Sequence, residues 1–465
     1  MKSKMILKII FISITIILLN NANMPAKPFA KEKITSKGDR IDKKEMATKI
    51  KNEFLHAWDG YKKYAWGHDE LKPISETYKD WYGTSLLMTP VDAFDTMVLM
   101  GLKKDANETE KLILDSLSFN KDISVKFFEI NIRLVGGLLS SYELTNDKGF
   151  LRLAEDLANR LLPVFSTKTG MPYRFVNLKT GEVSGKVSNP AEIGSCLIEF
   201  GTLSRLTGKP IYFEKAKKAL VALYNRRSKI GLVGSSINVE TGKWTDTESH
   251  ISGGIDSYYE YLLKGWKLFG DKDCKRMWQS SIIAINKYLA DSTSTGFWYG
   301  QADMNTGRKT SSLFGSLDAF FGAELALSGD LKRAEALQAS CFKMWNLAGI
   351  EPEEINYDSM KIISPEYVLR PENIESAYYL YHYTHKEKYL QMGKIYFDSI
   401  VKYCRTKNGY SGLKSVITKE KDNEMESFFL AETFKYLYLM FAPPKTLNFS
   451  SVIFNTEAHP MKRFK

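Results

Sequence analysis

The chain repeats one plan along most of its length: a helix with periodic apolar residues, a short break and a second helix. Successive pairs begin roughly 55–65 residues apart, a period typical of stacked helical pairs. First helices of five pairs are predicted at residues 127–142, 191–206, 253–270, 315–330 and 371–385. Residues 91–102 predict one more pair upstream, and residues 426–441 predict a further first helix near the carboxyl end.

The stretches between pairs carry Gly-bearing turns and alternating β-branched residues, a pattern typical of β-hairpins. They read TKTGMPYRFVNLKTGEVSG, SKIGLVGSSINVETGKWTD, STGFWYGQADMNTGRKT and KNGYSGLKSVITKEKD. Seven helical hairpins with β-hairpins at one end predict an all-α fold, an (α/α)7 barrel plugged by the carboxyl-terminal segment. An open α-solenoid is the rival architecture, but it needs polar capping repeats, which this sequence does not show.

The amino terminus predicts export. Three lysines, Lys2, Lys4 and Lys8, precede an apolar run at residues 9–19 that is too short to span a bilayer comfortably. We therefore predict a signal peptide at residues 1–26, a linker at 27–42 and one catalytic domain at 43–465. An uncleaved membrane anchor is the alternative, and the destination is a periplasm, the exterior or a secretory lumen.

Charge and cysteine content exclude two other classes of function. The formal net charge is +11, but the lysines are spread along the chain without the basic runs of a nucleic-acid footprint, so we expect no nucleic-acid partner. The four cysteines, Cys196, Cys274, Cys341 and Cys404, have no CxxC spacing, which argues against a zinc site. An exported chain permits disulfides, but the sequence does not show any.

The helix predicted at residues 127–142 departs from the amphipathic rule. At α-helical spacing Glu129, Arg133, Gly136 and Gly137 share one face among apolar residues. A Glu–Arg pair four residues apart is usually a solvated surface couple, which the apolar flanks disfavour here. Adjacent glycines cost about 1 kcal/mol each inside a helix, so we expect another segment to approach closely at this point.

Two later helix starts also carry acids. Asp256 follows two glycines, where an N-cap is the ordinary alternative to a functional role. In LRPENIES we place Pro371 at the first helical position, with Glu372 and Glu375 in the opening turns and Arg370 just before them. A helix N-terminus favours an ionised carboxylate, which suits a general base.

The last third of the chain adds further acids and a hydroxyl. Phe428 precedes Glu432 by one helical turn, and FNTEAHP near the end places Thr456, Glu457 and His459 together. First helices that point acids toward one end of a toroid bring them into a single funnel. Clustered acids are costly unless a cation or substrate chemistry uses them, and outside the cell Ca²⁺ is the expected hard cation. The terminal segment would then deliver Thr456 to the floor of the barrel.

These motifs resemble class I α-mannosidases, glycoside hydrolase family 47. The resemblance spans about residues 48–460 and rests on motifs in family order: AWDGYKKYAWGHDELKPIS, VDAFDTMVLMGL, FEINIRLVGGLLSSY, GGIDSYYEYLLKGW, LRPENIES, ESFFLAETFKYLYLMF and FNTEAHP. It implies an (α/α)7 barrel, a basal Ca²⁺ that engages sugar hydroxyls, and inverting removal of α-1,2-linked mannose. The implied partners are high-mannose glycans or mannosylated glycoproteins, bound by a monomer.

The resemblance also implies roles for individual residues. Glu129 would be the general acid, acting directly or through a water, Glu372 the general base, and Asp256 a competing or assisting carboxylate. Thr456 would bind Ca²⁺ through its hydroxyl and backbone carbonyl. Residues matching the terminal mannose site are Arg133, Arg370, Glu375, Phe428, Glu432 and Glu457.

The sequence departs from the family pattern at two positions. Ser316 stands where family mannosidases often carry histidine, and Ala319 replaces a cysteine that commonly pairs with the position of Cys341, so the resemblance implies that this disulfide is absent. The SLDAFF stretch is more similar to the ER degradation-enhancing branch, whereas WDGYKKYAWG is more similar to the processing mannosidases. Two other functions stay open: a mannose-glycan lectin or quality-control receptor with little turnover, and a different barrel glycosidase.

Overall fold

The computed structural model describes residues 41–463, so the predicted signal peptide and residues 27–40 of the predicted linker lie outside the described residues. The described chain is mostly helical, as the sequence predicts. Its α-helices are α1 (Lys43–Tyr64), α2 (Met88–Met100), α3 (Lys103–Ser116), α4 (Phe127–Ile130), α5 (Gly136–Thr145), α6 (Lys148–Leu161), α7 (Pro190–Gly194), α8 (Leu197–Thr207), α9 (Ile211–Tyr224), α10 (Asp256–Phe269), α11 (Lys272–Tyr288), α12 (Phe321–Ser328), α13 (Leu331–Trp345), α14 (Glu372–Thr384), α15 (Glu387–Cys404) and α16 (Phe434–Phe441). Two π-helical turns, Asn131–Val135 and Phe429–Thr433, interrupt this pattern.

A recurring turn separates the two helices of a pair. Helix α10 ends at Gly270, which adopts a left-handed conformation, and Asp271 then caps α11 by accepting a hydrogen bond from the Cys274 backbone N–H at 2.8 Å. Gly329 and Asp330 repeat the device between α12 and α13. The left-handed residue stops one helix, and the next aspartate satisfies the first N–H groups of the following helix, so the chain reverses within two residues.

The first helices of the pairs contact one another in series. Helix α2 packs on α5, α5 on α8, α8 on α10, α10 on α12, α12 on α14, and α14 on α16, while α16 returns to α2. Each also packs against the second helix of its pair, and the partner of α16 is α1, the first helix of the described residues. Apolar side chains such as Trp58, Leu138 and Trp345 are fully buried.

Short strands fill the connections between pairs. They are β1 (Glu70–Lys72), β2 (Thr77–Lys79), β3 (Ser124–Lys126), β4 (Phe175–Asn177), β5 (Val183–Ser184), β6 (Val187–Ser188), β7 (Ser236–Asn238), β8 (Lys243–Asp246), β9 (Glu248–Ser249), β10 (Ala290–Ser292), β11 (Phe297–Tyr299), β12 (Gln301–Asp303), β13 (Lys309–Ser311), β14 (Leu313–Gly315), β15 (Glu354–Asn356), β16 (Lys361–Ser364), β17 (Arg405–Thr406), β18 (Gly409–Tyr410), β19 (Val452–Phe454) and β20 (Pro460–Lys462). Three-stranded antiparallel sheets link successive connections in the orders β3–β4–β5, β6–β7–β8, β9–β12–β13 and β14–β15–β16.

The predicted hairpins are only partly realised. Three predicted stretches contain the pairs β4–β5, β7–β8 and β12–β13, whereas in KNGYSGLKSVITKEKD only an isolated Leu413–Lys421 bridge joins the two halves. The β15–β16 hairpin was missing from the sequence prediction. Within residues 41–463 no helix combines the length and apolar content needed to cross a membrane.

The carboxyl-terminal segment forms a hairpin inside this arrangement. Strands β19 and β20 pair antiparallel, with residues 455–459 as the connecting turn. Strand β19 contacts α10 and strand β20 contacts α5, so the hairpin lies between inner helices. The turn is almost entirely buried; within it only Thr456 retains appreciable exposure.

Candidate active site

One cavity of about 280 Å³ opens among the starts of the inner helices. Its volume lies near the lower limit for small-molecule sites, enough for a small ligand. All ten residues predicted as catalytic, sugar-binding or metal-binding line it: Glu129, Arg133, Asp256, Arg370, Glu372, Glu375, Phe428, Glu432, Thr456 and Glu457. The structure therefore brings together residues that are up to 328 positions apart in sequence (457 − 129).

Glu129 stands on one wall of the cavity with two cations beside it. Strand β3 ends at Lys126, and its ammonium lies 3.2 Å from Glu129 Oε1. Arg133 donates from Nε to Glu129 Oε2 at 3.2 Å. The same ammonium of Lys126 also lies 3.2 Å from Glu192, so this wall alternates positive and negative charge.

Arg133 projects from a π-helical turn, a local widening that often marks functional sites. Its guanidinium pairs with Glu457 and lies 3.6 Å from Asp92. It also lies over the rings of Trp81 and Phe428, at 5.3 and 5.7 Å from their centroids. Burial alone would lower the pKa of Arg133, but the surrounding carboxylates, Glu457 foremost, hold it well above its ordinary value.

Asp256 is the first residue of α10, and it does not cap that helix. No side-chain cap bond is present at the N-cap residue Ile255, and Asp256 Oδ1 instead accepts from the Ser257 N–H at 2.8 Å. Burial is the main cause that raises the pKa of Asp256 to about 7, with Glu260 adding to it. This carboxyl group can therefore hold a proton near neutral pH, which is unusual for an aspartate.

Glu372 is the first residue of α14, and Pro371 occupies the N-cap position, one residue before the position predicted for it. Arg370 is oriented by Glu353, with which it forms a bidentate pair at 3.1 to 3.3 Å. Burial raises the pKa of Glu372 to about 7, against the opposing effect of Arg370. Glu372 Oε2 is buried with no hydrogen-bond partner among the described residues, which leaves an acceptor for a ligand or a water.

Glu375 and Glu432 are two further carboxylates of the cavity lining. Burial raises the pKa of Glu375 to about 8 although the buried Lys264 ammonium lies 3.9 Å away. Tyr436 donates to Glu375 Oε1 at 3.1 Å. Glu432, in the second π-helical turn, has a pKa well above its ordinary value, caused by burial and then by the charge of Glu457.

The close approach expected at the paired glycines is present, and the approaching segment is the carboxyl-terminal hairpin. A Cβ atom on Gly136 would lie 2.5 Å from Asn455 Nδ2, and one on Gly137 would lie 2.7 Å from Val91 and 3.2 Å from His459. A side chain at Gly136 would push the hairpin away, and one at Gly137 would clash first with Val91 of α2. The glycines therefore permit the turn that carries Thr456 to reach the cavity.

The donor set around Thr456 suits a hard cation. Its hydroxyl and carbonyl are oxygen donors, and Glu375, Glu432 and Glu457 line the same cavity. Within the described chain no group of three or more His, Cys, Asp and Glu residues is arranged to hold a metal by itself. A cation here would therefore be held by Thr456 and additional water or ligand oxygens, and the carboxylates with raised pKa values would face it from further out.

Two further acidic residues, Glu192 and Glu260, line the cavity and were not predicted from the sequence. Each had a detectable signal. Glu192 follows Asn189 and Pro190 at the start of α7, an arrangement similar to that before Glu372, and Glu260 lies one helical turn after Asp256. Burial opposes it, but the paired Arg174 and the nearby Lys126 lower the pKa of Glu192 below its ordinary value.

The two departures from the family pattern lie outside the cavity lining. Ser316 is 1% exposed and donates to Glu353 Oε2 at 3.2 Å, so it stands behind Arg370. All four cysteines are buried and free. Cys341 thus lacks a disulfide partner, as the resemblance implies.

Comparison with known proteins agrees with this geometry. The model of glycosyl hydrolase family 47 matches residues 53–463. Human ER degradation-enhancing alpha-mannosidase-like protein 2 is 37% identical over 459 residues, which cover 91% of this chain and 78% of that protein. Human mannosyl-oligosaccharide 1,2-alpha-mannosidase IB is 36% identical over 452 residues, which cover 90% of this chain and 70% of that protein.

A solved structure shows the same relationship. The alpha-1,2-mannosidase from Trichoderma reesei superposes with a TM-score of 0.84 at 29% identity, covering 90% of this chain and 99% of that chain. The sequence matches and the structural match identify the protein as a glycoside hydrolase. The chain belongs to glycosyl hydrolase family 47.

Proposed function

We propose that the protein is a Ca²⁺-dependent, inverting exo-α-mannosidase that removes terminal α-1,2-linked mannose from high-mannose N-glycans. One observation carries the proposal: a single cavity unites Glu129, Asp256 and Glu372 with the Thr456 hydroxyl. Its volume of about 280 Å³ favours a terminal sugar over an internal segment of a glycan. The similarity to mannosyl-oligosaccharide 1,2-alpha-mannosidase IB supports the linkage.

We further propose that the helices form a closed (α/α)7 barrel with this cavity in its funnel. The serial contacts from α2 to α16 and back to α2 support closure, and the T. reesei enzyme supports the fold class. The funnel explains why the predicted residues converge, because inner helices of a ring start at one common end.

Inversion requires a base that activates water on one face of the sugar and an acid that protonates the leaving oxygen on the other. Glu372 suits the base because it has a free acceptor oxygen and stands at a helix N-terminus. Asp256 suits the acid, since burial raises its pKa to about 7. Lys126 and Arg133 both contact Glu129 at 3.2 Å and fix its side chain, so we assign it to orienting the sugar or a water.

The two carboxyl groups assigned to the reaction lie on different helices. Glu372 begins α14 and Asp256 begins α10, with α12 between them in the series of inner helices. The charge of Asp256 contributes to the raised pKa of Glu372, so the two groups share one electrostatic environment. A proton held by Asp256 removes this negative charge and thereby favours ionised Glu372.

Thr456 together with water or ligand oxygens would hold Ca²⁺, with the surrounding carboxylates further out, and the ion when bound would supply a fixed positive charge for sugar hydroxyls. Phe428 would contribute an apolar face to the sugar, and Arg133 and Arg370 would donate hydrogen bonds to its hydroxyls. Both arginines also lie against the Phe428 ring, at 5.7 and 5.8 Å from its centroid, which restricts their rotation.

A digest of a nine-mannose glycan with the purified chain, with and without EDTA, tests this proposal by mass spectrometry. We expect stepwise loss of hexoses only when Ca²⁺ is present, and proton NMR of the released sugar should show β-mannose first. Glycan binding without hexose loss would overturn the proposal in favour of a lectin or quality-control receptor. Equal turnover in excess EDTA would overturn the metal assignment.

A further inference from the structure

The side chain of Asn455 uses its whole hydrogen-bonding capacity inside the protein. Its amide nitrogen donates to the Ile132 carbonyl at 2.9 Å and to Glu199 Oε1 at 2.8 Å. Its amide oxygen accepts from the backbone N–H groups of Glu457 at 3.0 Å and His459 at 2.8 Å. Asn455 is fully buried, so water does not compete for any of these bonds.

These four bonds define the turn between β19 and β20. The two accepted bonds fold residues 455–459 around the Asn455 side chain, and Ala458 adopts a left-handed conformation with φ of 57° to complete the reversal. The two donated bonds tie the turn to the π-helical segment after α4 and to helix α8. These bonds thereby fix the position of Thr456, which lies between Asn455 and Glu457, relative to the cavity.

A second contact reaches Thr456 from the same network. Its backbone N–H donates to the Tyr261 hydroxyl at 3.4 Å, and that hydroxyl donates to Glu199 Oε1 at 2.6 Å. Asn131 donates to the other oxygen of Glu199 at 3.0 Å. Glu199 thus anchors the turn, yet it does not line the cavity and takes no part in the proposed chemistry.

We propose that Asn455 is a positioning residue that fixes the position and orientation of Thr456 and Glu457. We also propose that glycine is required at position 136 because a side chain there would occupy the space of Asn455. A Cβ on Gly136 would lie 2.5 Å from Asn455 Nδ2, closer than real Cβ contacts come. The inference rests on the proposed function, because it assigns Thr456 to Ca²⁺. Outer-shell partners of metal ligands commonly change affinity 10- to 100-fold when they are lost.

The test compares Asn455→Ala with the matched control Asn448→Ala. Asn448 is an exposed asparagine on the same terminal segment, and its side chain only caps a short 3-10 turn at Ser450. We expect Asn455→Ala to lower Ca²⁺ affinity at least about tenfold by calorimetry, with unchanged far-UV circular dichroism. Asn448→Ala should bind Ca²⁺ as the unmodified protein does.

Hydrogen exchange of the peptide spanning residues 452–463 gives a readout that does not need the metal. Asn455→Ala should expose the amides of Glu457 and His459 and speed their exchange in calcium-free protein, whereas Asn448→Ala should not. Unchanged exchange, or unchanged Ca²⁺ affinity, would overturn the positioning role. An unmodified protein that binds no Ca²⁺ would instead defeat the metal part of the proposed function, while the exchange comparison would still decide the role of Asn455.

Gly136→Ala approaches the same contact from the helix side and leaves Asn455 in place. We expect it to weaken Ca²⁺ binding and accelerate exchange in the same direction as Asn455→Ala. Global unfolding of both variants would overturn the proposal, because Asn455 would then support the fold as a whole. Normal Ca²⁺ affinity in a folded Gly136→Ala protein would overturn the role assigned to the glycine.

Discussion

The two walls of the cavity differ in the surroundings of their carboxylates. On the wall formed by β3, α4 and α7, Glu129 and Glu192 are paired with Lys126, Arg133 and Arg174 at 2.6 to 3.2 Å. On the wall formed by the starts of α10 and α14, burial raises the pKa values of Asp256 and Glu372 to about 7.

Carboxylates of one cavity can therefore have different chemical roles, according to whether they pair with cations or are buried. Pairing with cations fixes the positions of Glu129 and Glu192, whereas burial lets Asp256 and Glu372 exchange protons near neutral pH. A proton-transferring group functions best when its pKa lies near the working pH. The α10–α14 wall therefore carries the proposed proton transfers, and the Glu129 wall carries orientation.

Loss of the proposed base should have the largest effect. Glu372→Gln keeps the shape of the side chain but cannot accept a proton, so turnover of a nine-mannose glycan should fall by about 10³-fold, within the range for general acid–base catalysis. Mannose binding, measured by calorimetry, should persist. An active Glu372→Gln enzyme would show that the base is another carboxylate.

The variants Asp256→Asn and Glu129→Gln test which wall supplies the general acid. On glycan substrate we expect Asp256→Asn to lose about 10²-fold in kcat. On α-mannosyl fluoride, whose leaving group needs no proton, Asp256→Asn should recover most of its activity and Glu129→Gln should not. If α-mannosyl fluoride restored only the activity of Glu129→Gln, Glu129 and not Asp256 would be the general acid.

The pH profile of kcat/KM should be bell-shaped and centred near neutral pH. Activity should fall as the pH drops through the pKa of Glu372, about 7, because the base must be ionised. It should also fall as the pH rises through the pKa of Asp256, about 7, because the acid must be protonated. The residual activity of Asp256→Asn should keep the acidic limb and lose the basic one.

Lys126→Met should have the smallest effect of these changes. Glu129 would retain Arg133 as a partner, and the lysine is 29% exposed, so we expect kcat/KM to fall by less than about fivefold. Lys179→Met, at an exposed lysine beyond β4, is the control. A loss larger than that of Asp256→Asn would contradict the division of labour between the walls.

The sequence predicted ten of the lining residues because helix starts and motif order constrain them strongly. It did not predict that Arg133 and Glu432 would project from π-helical turns, since one extra residue per turn leaves no clear mark in an apolar helix. Nor could it show that Ser316 lies behind Arg370, because that position depends on how Glu353 folds back from another connection. Long-range contacts of this kind are set by packing rather than by local pattern.

The pairing of α1 with α16 has a consequence for synthesis. The first described helix, Lys43–Tyr64, packs against a helix at Phe434–Phe441, so this pair joins two segments that lie far apart in the described chain. Because translation proceeds from the amino terminus, α1 must wait for nearly the whole polypeptide before it finds its partner. Thr456 and Glu457, which line the cavity, leave the ribosome later still. The cavity is therefore completed only after the carboxyl-terminal hairpin has been synthesised and has packed against α5 and α10.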